Sequence, residues 1–131
     1  MSTVLIVDDS APFRRQARAL LEAEGCAVVG EAPDGRSGIE LARTLSPEIV
    51  LLDIGLPDID GFEVATRLAA GDTPPTVVLT SSREAAVYGL RLAASPAAGF
   101  VAKDELNGRA FVEMVARVGH VPGGRPSRER Q

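Results

Sequence analysis

Four aliphatic residues, Ile49 to Leu52, run straight into Asp53, and Gly55, Pro57, Asp58, Asp60 and Gly61 follow at once. An apolar run this short, stopped by turn-forming residues, reads as a β-strand covered on both faces rather than as a buried helix. Such a strand needs helices on both sides of its sheet, and it presents its terminal carboxylate at the sheet's edge. The start of the chain has the same construction, because Val4 to Val7 is closed by Asp8 and Asp9. If the two strands are neighbours in one parallel sheet, three carboxylates converge at their carboxyl ends, where ligands bind in open α/β sheets.

Three more short runs, Ala27 to Val29, Val77 to Leu79 and Phe100 to Ala102, bring the number of expected strands to five. Between them Phe13, Ala17, Leu20 and Leu21 keep helical spacing, as do Gly38, Leu41, Ala42 and Leu45, and then Phe62, Ala65, Leu68 and Ala69. A fourth helix is predicted from Arg83 to about Ala93, with Pro96 beyond it and Ser81 and Glu84 as its capping box. Ser10 is placed to cap the first helix. Leu106, Ala110, Phe111, Met114, Val115 and Val118 trace the apolar stripe of the last one. A (βα) unit repeated five times predicts an α/β fold: a five-stranded parallel sheet, doubly wound, with right-handed crossovers.

A chain of 131 residues, 45% of them hydrophobic, is long enough for one real core and too short for two ordinary domains. We expect a globular domain over residues 1–121 and a flexible basic Gly/Pro-rich tail or linker stump over 122–131. The net charge of −4 argues against a nucleic-acid surface on the globular part, although Arg125, Arg128 and Arg130 make the end locally basic. No run approaches the roughly 20 apolar residues of a membrane span, and no secretory leader is recognisable, so the expected location is cytoplasmic. Cys26 is the single cysteine and reads as a small core residue in the second strand; the single histidine, His120, is assigned no role.

The fourth strand ends on Thr80 and the fifth on Lys103, so strand ends deliver Asp8, Asp9, Asp53, a hydroxyl and an ammonium to one cleft. Taken singly, each has an ordinary reading. Asp8 or Asp9 could cap a helix, Asp53 could be a loop acid, Thr80 a strand end, Lys103 a solvated charge, and Phe100 core. Together they resemble the response-regulator receiver domains of two-component signalling. The likeness rests on Val7-Asp8-Asp9, on the block from Leu51 to Gly61, on Leu79-Thr80-Ser81 and on Gly99 to Lys103. The family fold is flavodoxin-like, with strand order 2-1-3-4-5.

The resemblance implies a function as well as a fold. Asp53 would be the phosphoacceptor, taking a phosphoryl group from a sensor histidine kinase in a Mg²⁺-dependent reaction. Asp9 and Asp53 would bind the ion directly, Asp8 through water and Gly55 through its main-chain carbonyl. The residue types agree with that chemistry. Two carboxylates ~4 Å apart repel by about 4 kcal/mol at an effective dielectric near 20, so three of them either raise a pKa or recruit a divalent cation. Oxygen-only ligands with open positions suit Mg²⁺. By resemblance too, Lys103 and Thr80 would contact the phosphoryl oxygens, with small Ser81 leaving room beside them. Thr80 and Phe100 would then switch the surface of the fourth helix, fifth strand and fifth helix. That surface, or the last two helices, would also serve a homodimer, and Tyr88 is placed on the same output face.

Most receivers follow the lysine with a proline, whereas Asp104 stands here. A trans peptide is therefore expected, with Asp104 free to cap the last helix. The Lys-Asp pair resembles the receivers of NarL-type transcription regulators, which carry a DNA-binding domain after a linker. The readings are thus a phosphoacceptor switch that is not itself an enzyme, free-standing or part of such a regulator, and a non-phosphorylated interaction module. A hydrolase resembling haloacid dehalogenases places its two acids at alternate positions, and Asp8 and Asp9 are adjacent. Neither a GxGxxG nor a P-loop motif supports a nucleotide or flavin site.

Overall fold

The computed structural model describes residues 2–117. Five strands, β1 (Thr3–Val7), β2 (Ala27–Ala32), β3 (Ile49–Asp53), β4 (Thr76–Ser81) and β5 (Gly99–Ala102), form one parallel sheet in the order β2-β1-β3-β4-β5. The helices are α1 (Ala11–Ala23), α2 (Gly35–Leu45), α3 (Gly61–Ala69), α4 (Leu90–Ala94) and α5 (Gly108–Arg117). Fold class and strand order are those expected from the sequence.

β3 is buried along its whole length, as an aliphatic strand at the centre of a sandwiched sheet must be. Its alternate residues feed two cores. Val50 and Leu52 pack with Leu5, Val7, Phe62, Val64, Leu68 and Leu79 under α2 and α3, while Ile49 and Leu51 pack with Val4, Ile6, Phe13, Leu21, Phe111 and Val115 under α1 and α5. The second helix buries Ile39 in place of Leu45, which is exposed, and Ala110 of the last helix also faces solvent. Val118 and His120 lie outside the described residues. Cys26 is buried just before β2, and burial pushes its thiol pKa up.

Caps set where the helices begin. Ser10 Oγ accepts from Phe13 N at 3.2 Å, Asp34 Oδ1 from Ser37 N at 2.8 Å and Asp60 Oδ1 from Phe62 N at 2.7 Å. Asp58 reaches across from the β3–α3 loop to accept from the first N–H groups of α2, Gly35 at 2.7 Å and Arg36 at 3.0 Å, and so ties that loop to a neighbouring helix.

Three local expectations are corrected. The predicted helix from Arg83 to Ala93 is a 3₁₀ turn, Ala85–Val87, followed by the single short helix α4. Gly89, at φ 53, takes a left-handed backbone that a continuous helix forbids. The Ser81–Glu84 capping box does not form. Ser81 is the last residue of β4, and its Oγ accepts from Arg83 N at 3.0 Å, while Glu84 makes no side-chain cap. Finally, Asp104 sits in a 3₁₀ turn (Lys103–Glu105), and Asn107 caps α5 by accepting from Ala110 N at 2.8 Å. The Lys103–Asp104 peptide is trans, as expected.

Candidate functional site

The carboxyl ends of β1, β3, β4 and β5 meet at one edge of the sheet, and the side chains singled out in the sequence lie there together. Asp8, Asp9 and Asp53 each offer a carboxylate oxygen within 4.8 Å of the other two. Asp8 is 0% and Asp53 5% exposed, while Asp9 faces solvent, so the cluster has a closed back and an open front. Lys103 Nζ stands 2.7 Å from Asp8 Oδ2 and 3.5 Å from Asp53 Oδ2. The shorter contact is an ion pair without hydrogen-bond alignment, since Asp8 Oδ2 has no hydrogen-bond partner. The Lys103 ammonium also lies 4.6 Å from the centre of the Phe13 ring, which covers it from the α1 side.

Each position has a local cause. Asp53 and Thr80 are register partners on β3 and β4 and therefore share a face of the sheet, and Ile54 N donates to Thr80 O at 2.9 Å just beyond them. Gly55 N turns back to Asp53 Oδ1 at 3.1 Å. On β1, Asp8 N donates to Ala32 O at 2.9 Å, and Asp8 Oδ1 accepts from Ser10 N at 2.8 Å. Burial first, and then the neighbouring Asp8 carboxylate, raise the Asp53 pKa; the Gly55 N–H and Lys103 oppose them.

A single ammonium beside three carboxylates leaves negative charge that a cation can balance, and the donor set is oxygen only. Both features fit a hard divalent ion such as Mg²⁺. Thr80 Oγ1, fully buried and without a hydrogen-bond partner, belongs to the residue directly beside Asp53. An orphaned hydroxyl there fits a group added at Asp53 that brings acceptor oxygens. Gly55 is exposed, and a Cβ built on it would be 3.9 Å from Asp53 Oδ1, so the front of the cluster is uncrowded.

Phe100, the second residue of β5, is half-buried and lies 6.2 Å from the Tyr88 ring, which in turn meets Phe62 of α3 edge-on at 5.7 Å. Tyr88 precedes α4 instead of lying on a helix, and its hydroxyl pairs with Ser81 Oγ, next to Thr80. This residue is more closely tied to the site than sequence reasoning placed it. The other residues missed are Asp58, read only as one of the turn-forming residues after the third strand, and Arg14, to which the sequence assigns no role. Spacing carried no signal for either, because their partners are 23 residues ahead and 17 residues on, respectively, and belong to other elements.

The chain belongs to the response regulator receiver domain family, whose model matches residues 4–116. It is 41% identical over 102 residues to the transcription regulator BvgA of Bordetella pertussis, covering 78% of this chain and 49% of the relative. It is 40% identical over 78 residues to the transcriptional regulatory protein PdtaR of Mycobacterium tuberculosis, covering 60% and 38%. The chain thus spans about half the length of the first curated relatives it matches. Among solved structures, the signal receiver domain of NarL from Mycobacterium tuberculosis superposes with a TM-score of 0.78 at 32% identity, over 88% of this chain and 96% of that one. A LuxR-family response regulator from Aurantimonas sp. SI85-9A1 gives 0.79 at 26% identity, over 90% and 84%. Among the described residues no helix is long and apolar enough to cross a membrane.

Proposed function

We propose that this receiver works in the cytoplasm, that it accepts a phosphoryl group on Asp53 from the phosphohistidine of a sensor histidine kinase, and that Asp8, Asp9, Asp53 and the Gly55 carbonyl hold a Mg²⁺ ion for that reaction. The observation that carries the reading is the meeting of three carboxylates and one ammonium at the mouth of the sheet, beside the buried, unpartnered hydroxyl of Thr80.

An Oδ of Asp53 forms the new O–P bond as the N–P bond of the phosphohistidine breaks, and the electron pair stays with the kinase imidazole. Lys103, already between Asp8 and Asp53, turns its ammonium to the equatorial phosphoryl oxygens, where most of the transition-state charge lies. Thr80 donates its hydroxyl to one of those oxygens. When bound, the ion supplies charge neutralisation and orientation of the phosphoryl oxygens.

Movement of Thr80 toward the phosphoryl group loosens the space beside Phe100 and Tyr88, and the surface of α4, β5 and α5 repacks. Val87 and Leu90, 57% and 86% exposed, give that face apolar area for an output partner or a second copy of the chain. The protein works as a switch rather than as an enzyme, through a domain over residues 1–121, and the basic segment 122–131 lies outside the described residues. The likeness to the transcription regulators BvgA and PdtaR, together with that to the NarL receiver domain, supports a place as the receiver part of a NarL-type DNA-binding regulator.

The test is incubation with a small phosphodonor and Mg²⁺, followed by mass spectrometry. One added phosphoryl group that hydroxylamine removes is expected for the parent and none for Asp53→Asn. Equal labelling of the variant overturns the choice of acceptor; no labelling of either favours a non-phosphorylated interaction module.

A further inference from the structure

Arg14, on the first turns of α1, is three-quarters or more shielded from solvent and is held by two partners. Its Nη1 donates to the main-chain oxygen of Asp8 at 2.6 Å, and its Nε to Glu31 Oε1 on β2 at 3.0 Å. Glu31 Oε2 in turn accepts from Arg18 Nε at 2.8 Å, and Arg18 Nη1 reaches Glu22 at 3.2 Å. The two peptides that flank the Asp8 Cα are therefore both held, the first through the Asp8 N–H on Ala32 O and the second through the Asp8 carbonyl on Arg14. The carbonyl of Asp8 and the N–H of Asp9 share one rigid peptide plane, so fixing the first sets the direction in which Asp9 leaves the strand. The exposed Asp9 carboxylate accepts no hydrogen bond among the described residues, so its backbone is what remains to place it in the cluster.

A guanidinium so close to a cation site should repel the ion. Here Glu31 offsets it, and Arg14, Glu31, Arg18 and Glu22 form a brace with no net charge. Hydrogen bonding by Arg18 first, and by Arg14, holds the Glu31 carboxyl below its ordinary pKa, which keeps the brace ionised.

We infer that Arg14 is a positioning residue for divalent-cation binding, orienting the Asp8–Asp9 peptide so that both carboxylates meet Asp53. The inference rests on the cation reading proposed above. It assigns Arg14 a role opposite in sign to its charge: loss of a nearby positive charge alone should tighten cation binding, whereas loss of the brace should weaken it.

The measurement is Mn²⁺ titration of the whole chain, following the electron paramagnetic resonance signal of the free ion, with urea unfolding of each protein alongside. Arg14→Met should bind Mn²⁺ about 10-fold more weakly, the scale seen when a ligand's outer partner is removed. Arg14→Lys, which keeps the charge and buried stem but not the fork, should also bind more weakly and carries the test if the Met variant does not fold. At saturating Mn²⁺ the phosphoryl labelling rate of either variant should return to the parent's. Variants that bind as tightly as the parent, or more tightly, overturn the inference and leave the proposed function standing. A parent chain that binds no Mn²⁺ overturns the cation reading and this inference with it.

Discussion

A Cβ placed on Gly61 would stand 2.4 Å from the main-chain oxygen of Asp53, closer than any side chain tolerates. The first residue of α3 thus rests against the peptide that carries the candidate acceptor, and Gly61 N donates to Ile54 O at 2.9 Å. Because the clash is with backbone, no rotamer relieves it. Gly61→Ala should destabilise the fold by about 1–3 kcal/mol or more, as overpacking does. It should also lower labelling at Asp53 beyond what the unfolded fraction explains. Urea unfolding and labelling measured together check this; an alanine variant as stable and active as the parent would refute the close approach.

Lys103 offsets two buried acids, and its side chain is 18% exposed. Lys103→Met should cost about 3 kcal/mol in chelator, since Asp8 and Asp53 are left without their cation. Added Mg²⁺ should restore part of that loss, because it serves the same charges. Unfolding transitions with and without Mg²⁺ read both numbers, and a deficit insensitive to Mg²⁺ would count against the shared role.

Asp53 has a raised pKa, so the folded, cation-free protein keeps this proton to higher pH than the unfolded chain does. The folded state then binds more protons across that window, and its stability falls as pH rises from the ordinary carboxylate range through the folded-state pKa. Asp53→Asn removes the penalty. It should therefore raise the melting temperature in chelator at neutral pH, with the gain vanishing in acid below the usual Asp range. Melting curves of both proteins against pH decide it; an Asn variant that melts lower at neutral pH contradicts the sign.

Tyr88 joins the end of β4 to the aromatic contacts of α3 and β5 through its hydroxyl on Ser81 and its ring between Phe62 and Phe100. Tyr88→Phe should cost about 0.5–1.5 kcal/mol, the worth of one hydrogen bond. In a double-mutant cycle with Ser81→Ala, the second substitution should cost little once the first is made. Independent, additive costs would show that the pair is not coupled.

The helix preceding β5 shows where local pattern misleads. Ser81, Glu84 and the residues up to Ala93 satisfy the rules for a capped helix, yet Ser81 completes β4 and its hydroxyl is claimed by Arg83 N and Tyr88. Gly89 then breaks what remains. Asp104 and Asn107 are both good caps by composition, and the 3₁₀ turn after Lys103 decides between them by setting where α5 starts. The site itself was far more legible. Asp8, Asp9, Asp53, Thr80 and Lys103 all sit at strand ends, and strand ends follow from short apolar runs.

Sequence alone determined that five strands alternate with helices and that those around the site end on a polar group, because burial on both faces of the central strands leaves an unmistakable aliphatic run. Tertiary structure decided which distant groups serve those ends. The brace of Arg14 on Asp8 and Glu31, the clamp of Asp58 on α2 and the Ser81–Tyr88 pair depend on which elements pack together. The physical reason is range: hydrophobic periodicity is written along the chain, while charge pairing and hydrogen bonding select partners by distance in space.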